Sequence, residues 1–289
     1  MRVQRWVLIP TVIIIFCSVI LSSALAAGTS LDNDMGETYK LGLDYLIKGR
    51  FHEAVEAFKQ VIRTRPNDAD VHFCLGLSYA NLGRFDEAIE AFKQTITIEP
   101  DYADAHTGLG VVYGKMKRYQ EAAEYLRQAV RIKPDDADAH YNLGLTYKEL
   151  GSYQKAVDAF NRSIRIRPND AQAYYNLGLA YAGLGRYQEE IEAYKKVIKI
   201  QPHHVDAHYN MGVTYANLGL YQKALESFKR VIQLKPDDAN AHYSLGLIYF
   251  ILRDKDTALK EYKILKELNE ELSNKLYDRI YRTQYGGID

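Results

Sequence analysis

Proline keeps a fixed beat along this chain: Pro66, Pro100, Pro134, Pro168, Pro202 and Pro236 are each 34 residues apart. The one other proline, Pro10, lies in a different kind of segment at the N-terminus. A period of this length calls for a stack of like supersecondary units whose apolar stripe runs from one unit to the next.

The unit Ala137 to Asp170 shows what is stacked. Leu143, Tyr147 and Leu150 follow the i, i+4, i+7 spacing of one helical face, and Ala156, Phe160 and Ile164 repeat that spacing further on, so each unit reads as two amphipathic helices. Gly151 stands where the first helix should stop, because glycine enters the left-handed backbone region at little cost. Pro168 cannot continue the second helix, and Asn169 or Asp170 offers an oxygen to cap the next one. Gly144 is expected to let Ala156 on the partner helix approach its backbone closely, so that a larger residue at either place forces the pair apart.

The set Leu143, Gly144, Tyr147, Ala156, Phe160 and Pro168 resembles the tetratricopeptide repeat. Units beginning at Met35, Ala69, Ala103, Ala137, Ala171, Val205 and Ala239 carry the glycine as Gly42, Gly76, Gly110, Gly144, Gly178, Gly212 and Gly246. The same units carry the tyrosine as Tyr45, Tyr79, Tyr113, Tyr147, Tyr181, Tyr215 and Tyr249. Seven repeats thus span 35–272, four fifths of the chain. The resemblance implies an all-α fold, a right-handed superhelical solenoid of helix-turn-helix repeats. The 24 tyrosines need no separate cause, since the repeat places aromatics at its fifth, eleventh, seventeenth and twenty-fourth positions.

The N-terminus is another material. Arg2 and Arg5 precede an uncharged apolar run from Trp6 to Leu21, and Ala24-Leu25-Ala26 supplies a small-x-small pattern. Residues 1–26 therefore read as a secretory signal cleaved after Ala26, which places the protein in a periplasmic or secreted setting. The alternative is an uncleaved membrane anchor, for which Trp6 to Ala27 is long enough. Cys17 follows Ile15 and Phe16 rather than the small residues of a lipoprotein signal. Residues 27–34 read as a spacer, 273–283 as a capping helix bearing the stripe Leu272, Leu276 and Ile280, and 284–289 as a flexible tail.

Charge balances at 37 basic against 37 acidic residues, and loss of Arg2 and Arg5 leaves 35 against 37, a net of −2. That balance lacks the clustered basic residues of a nucleic-acid footprint. Once the leader is removed, Cys74 is the single cysteine, placed on a packed helix as an inert thiol. Three repeats depart from the pattern. The third holds Gly108, Gly110 and Gly114 on one helix and Lys117 at the turn, and glycines inside a helix cost ~1 kcal/mol each relative to alanine; it is the expected soft point. The fifth carries Glu190 in place of alanine, which is expected to loosen its packing. In the seventh, Arg253 and Lys255 replace the glycine and tyrosine of the turn, Glu270 replaces the proline, and the last helix is expected to run on or restart near Ser273.

No phosphate-cradling glycine loop, metal-protease helix or nucleophile beside a base occurs, so the chain reads as a non-enzyme with no cofactor. His203, His204, Asp206 and His208 are close enough in sequence to gather a metal ion, but His208 fills the fourth repeat position like His72, His106, His140 and His242, which speaks against a metal site. The resemblance directs binding to the concave face formed by the first helices. There the fifth positions Tyr39, Phe73, Tyr141, Tyr175, Tyr209 and Tyr243 and the ninth positions Leu77, Leu145, Leu179 and Leu247 form a ladder. Asn142, Asn176 and Asn210 add amides at the sixth position, and Asp70, Asp104, Asp138 and Asp206 an acidic rim at the second.

This face lacks the basic set with which related proteins clamp chaperone C-termini. The implied partner is a protein or peptide segment with apolar side chains and a few positive charges, extended or helical. The expected function is a scaffold or assembly adaptor outside the cytoplasm. The alternatives are a membrane-anchored adaptor and a metal-binding or enzyme-accessory protein, for instance the partner of a glycosyltransferase, whose repeat lumen the amide ladder resembles.

Overall fold

The computed structural model describes residues 33–282, so the expected signal, most of the spacer and the tail lie outside it. The described chain forms fifteen helices in two compact units, one ending at Ile166 and the other starting at Arg167. The first unit holds α1 (Asn33–Ile47), α2 (Phe51–Thr64), α3 (Ala69–Asn81), α4 (Phe85–Ile98), α5 (Ala103–Lys115), α6 (Tyr119–Ile132), α7 (Ala137–Glu149) and α8 (Tyr153–Ile166). The second holds α9 (Ala171–Gly183), α10 (Tyr187–Ile200), α11 (Val205–Asn217), α12 (Tyr221–Leu234), α13 (Ala239–Ile251), α14 (Lys255–Leu268) and α15 (Glu270–Arg282). Within each unit a helix packs most closely on its partner in the same repeat, and next the second helix of one repeat packs on the first helix of the following one.

The two helices of a repeat are not alike. The second has one buried stripe, as in α8 with Ala156, Val157, Ala159, Phe160, Ser163 and Ile164. The first is enclosed on several sides: in α7, Ala137, Ala139 and every residue from Tyr141 to Thr146 is buried. It is wedged between helices of its own and the neighbouring repeats, so of the two helices read as amphipathic only the second presents a single buried stripe.

The stops and caps follow the sequence closely. Gly151 takes φ +68°, and at the same turn Lys117 and Arg253 adopt φ 60° and 64° without glycine's freedom, each at a cost of about 1 kcal/mol or more. Asp170, rather than Asn169, caps α9 by accepting from the backbone N–H groups of Gln172 and Ala173. Asp68, Asp136 and Asp238 cap α3, α7 and α13 in the same way, and His204 caps α11 through Nδ1.

What fills the space at the recurring glycine differs from expectation. A Cβ on Gly144 would lie 2.6 Å from the ring of Phe160, which is fully buried, whereas Ala156 is not among its nearest neighbours. Gly42, Gly76, Gly178 and Gly212 likewise receive Phe58, Phe92, Tyr194 and Phe228. The aromatic at position 24, not the alanine at position 20, is the knob for this hole. Gly108 has a comparable role between repeats: a Cβ there would lie 2.8 Å from Phe92.

The seventh repeat breaks this rule. Its position-24 residue, Tyr262, leans on Tyr277, with ring centroids 5.5 Å apart, and the hole at Gly246 is filled by Leu276 from α15. Asn269 separates α14 from α15 and caps the latter by accepting from Leu272 N–H at 3.0 Å, so the last helix begins at Glu270, three residues before Ser273. Leu276 and Ile280 are buried and Leu272 half-buried, as the stripe implied.

Candidate functional site

The ladder residues differ between the two units. In the first, Tyr39, Phe73, Leu77, Tyr141, Asn142 and Leu145 are all buried, and Leu145 retains only 1 % exposure. In the second, Tyr175, Leu179, Tyr209, Asn210, Tyr243 and Leu247 are half-buried, while Asn176 is buried. Each fifth-position ring also leans on the core aromatic of its own repeat: Tyr39 on Phe58 at 6.0 Å, Tyr141 on Phe160 at 5.9 Å, Tyr175 on Tyr194 at 5.8 Å and Tyr209 on Phe228 at 5.4 Å. One face of each ring thus belongs to the fold.

The amides are turned toward the protein rather than displayed as a ladder. Asn176 Nδ2 donates to Gln172 O at 3.0 Å, and Asn210 Nδ2 donates to the Tyr175 hydroxyl at 3.1 Å, joining position five of one repeat to position six of the next. Asn142 is buried with neither amide atom paired among the described residues. On the rim, Asp70 accepts from the Tyr102 hydroxyl at 2.7 Å. Asp104 is half-buried, and burial pushes its carboxyl up to about 6, with Asp136 and Asp138 adding to the rise and Lys133 opposing it. Asp138 and Asp206 are also half-buried.

The histidines have work inside the fold. Nε2 of His72, His106, His140, His208 and His242 donates to the carbonyl of the proline six residues earlier, at 2.8–3.1 Å. That bond staples each inter-repeat loop to the first turn of the following helix, and its sequence signal is the recurring Pro-x5-His spacing. His208 and His204 are thereby engaged, and His203 lies 3.5 Å from Arg230. No group of three metal-ligating side chains is brought together among the described residues. Of His203, His204, Asp206 and His208, His208 is thus a loop staple and His204 a helix cap.

Glu190 also finds a partner that sequence reasoning missed. It is 4 % exposed, and its Oε1 lies 2.7 Å from Thr214 Oγ1, which in turn lies 2.9 Å from the Asn210 carbonyl. The hydroxyl has one proton for these two acceptors when Glu190 is ionised. A neutral Glu190 completes the chain by donating to Thr214, which donates to Asn210, and burial pushes the Glu190 carboxyl up accordingly. A second unforeseen feature lies on the turn edge, where Arg84, Arg118 and Arg186 each cover the tyrosine five residues earlier at 4.6–4.9 Å and pair with the glutamate three residues later at 2.6 Å. These pairs are exposed and contribute little stability. No helix among the described residues is long and apolar enough to cross a membrane.

Tandem helix pairs, five of them closed by an aromatic knob in a glycine hole and the third and seventh by Leu126 and Leu276, define an α-helical solenoid. Tetratricopeptide-repeat models match residues 39–103, 75–137, 125–158, 171–204 and 205–238, and a TPR-repeat model matches 144–185. The chain belongs to the tetratricopeptide-repeat family. Among solved structures it is similar to YrrB, described as a TPR protein with an unusual peptide-binding site, at 28 % identity and TM-score 0.60 over 65 % of this chain and 97 % of that one. It is similar to MamA at 32 % identity and TM-score 0.55, over 57 % of this chain and 97 % of the other. It also shares the fold of Pseudomonas aeruginosa PilF, at 21 % identity and TM-score 0.60 over 73 % and 97 % of the two chains. No curated protein matches the chain.

Proposed function

We propose that this protein is a non-catalytic scaffold that holds a peptide or segment of a partner protein on the concave face of its repeats. The supporting observation is the half-exposed strip of tyrosines and aliphatics on the first helices of the second unit, Tyr175, Leu179, Tyr209, Tyr243 and Leu247. An apolar strip of this kind carries binding energy in a few anchors, and pre-formed helices lose little freedom on binding. The peptide-binding site named for YrrB supports the same reading.

Affinity capture with the purified protein tests it. A Tyr209→Ala, Tyr243→Ala variant with wild-type circular dichroism is expected to lose partners that a turn-edge variant, Leu218→Ser with Leu220→Ser, retains. Loss with the edge variant alone moves the docking surface to the turns.

We further infer that the scaffold works outside the cytoplasm, on the strength of Arg2, Arg5, the apolar run Trp6–Leu21 and the Ala24-x-Ala26 site. Trp6 is the chain's single tryptophan, so native protein without tryptophan fluorescence indicates cleavage. Retained fluorescence indicates the anchored form, with the same face held at a membrane.

A further inference from the structure

We propose that the seventh repeat carries a proton-operated latch: His242 and Glu261 share one buried proton, and its loss as pH rises releases α15 from the end of the second unit. The latch goes beyond the scaffold reading and does not depend on what the first-helix face holds.

The proton follows from the hydrogen bonds. His242 Nε2 lies 2.9 Å from the Pro236 carbonyl, which only accepts, so Nε2 carries a hydrogen. Nδ1 lies 2.6 Å from Glu261 Oε2, and the two residues are 5 % and 9 % exposed. A second proton therefore lies between Nδ1 and Oε2, on the imidazolium or on the carboxyl, because without it a lone pair faces a carboxylate inside the protein. The histidines at this position in repeats two, three, four and six meet Ala91, Tyr125, Ala159 and Ser227 in place of Glu261. Their staple to the proline carbonyl needs only the neutral ring. Charged groups on the elements packed around the pair are engaged elsewhere. On α12, Arg230 reaches Gln233 and His203 and Lys229 lies over Tyr249; in the loop Lys235 pairs with Asp238; on α15 Lys275 pairs with Glu271. Glu226 of α12 and Lys260, Lys263 and Glu267 of α14 are exposed.

Linkage gives the direction. In an unfolded chain glutamate titrates at about 4.3 and histidine at about 6.5. Between those values the unfolded pair also carries one proton, and stability is level. Above about 6.5 the unfolded chain sheds that proton while the folded pair keeps it, so opening becomes up to about tenfold more favourable per pH unit. The cap feels this because Glu261 Cβ lies 3.3 Å from where a Cβ on Gly246 would stand, in the hole that Leu276 of α15 fills. A buried carboxylate stripped of its proton is driven toward water, and its stem moves in the space that seats Leu276. Release of α15 uncovers Leu276 and Ile280, which are 0 % and 1 % exposed in the closed form.

The test is hydrogen exchange of the purified full chain, read by mass spectrometry from about pH 5.5 to about pH 8.5 and corrected for the intrinsic pH dependence of amide exchange. The opening constant of α15 is expected to stay level to about pH 6.5 and then to rise at least about tenfold by about pH 8.5. Glu261→Gln, whose amide donates to Nδ1 of the neutral ring, is expected to keep α15 closed with less than about threefold change over the whole range. Should that variant not fold, Glu261→Ala, the pairing that repeats two and four already hold, is expected to remove the rise as well. Glu190 titrates in repeats five and six, so the series is repeated in Glu190→Gln, where the rise at α15 is expected to persist.

A level wild-type profile at α15 overturns the proposal, as does a rise that survives in the folded Glu261 variant. A rise abolished by Glu190→Gln overturns it too, and assigns the pH response to repeats five and six.

Discussion

Replacing Leu276 by alanine should uncap the second unit, because this side chain closes a hole that no residue of the seventh repeat fills. Leu276 is fully buried between Gly246, Ala258 and Leu265, which form one apolar cluster with Ile280. The substitution removes three carbons, or about 2.4 kcal/mol at about 0.8 kcal/mol per buried carbon. The glycine opposite offers no side chain that can swing into the void. A cavity contribution therefore brings the expected cost to about 3–4 kcal/mol, inside the range of about 2–5 known for such truncations.

Repeat arrays open locally, so the loss should appear first at the end of the stack. Hydrogen exchange read by mass spectrometry should show α15 amides exchanging about a hundredfold faster, since each 1.4 kcal/mol is tenfold. The amides of α10 and α11 should change far less. An Asn274→Ala control, at an exposed position of α15, should stay within about 0.5 kcal/mol of wild type. Exchange in α15 altered less than about fivefold would refute the view that Leu276 does in repeat seven what Phe160 does in repeat four.

Two other perturbations follow from the same packing. The raised carboxyl of Glu190 means that the folded state holds its proton more tightly than the unfolded chain, so its contribution is complete below the unfolded value near 4.5 and is lost as pH rises through the folded value. The stability of repeats five and six should decline over that window by up to about 1.4 kcal/mol per pH unit, and Glu190→Gln should flatten the slope in denaturant titrations; an unchanged slope would show that Glu190 is ionised throughout. Gly144→Ala should destabilise the protein despite better helix propensity, because the new methyl meets the rigid Phe160 ring. An overpacking cost of about 1–3 kcal/mol, less about 1 kcal/mol of helix propensity, leaves a net loss readable in thermal melts, whereas a rise in melting temperature would mean that the ring shifts freely.

Much of this was legible in the residues. The 34-residue beat, the helix pairs, the stop at Gly151 and the aspartate caps all depend on local rules that act within a few residues, and the structure follows them. The glycines of repeat three were read for their helix propensity alone, and Gly108 also receives Phe92 from the preceding repeat, a contact that no single-helix propensity contains. Glu190 was read only as a carboxylate in place of alanine, and the partner it takes, Thr214, lies 24 residues away in the next repeat.

The sequence by itself determined that this chain is a repeat array, where the helices of a regular repeat stop and are capped, and which residues fall on the first-helix face, because periodicity and capping are properties of the chain taken one turn at a time. Only the tertiary structure decided that Phe160 rather than Ala156 meets Gly144, that Leu276 stands in for the missing knob at Gly246, and that the asparagine amides turn inward. The ladder is buried in the first unit and half-open in the second for the same reason. These outcomes depend on which side chains converge in space once the helices have packed, and a shared period leaves that convergence open.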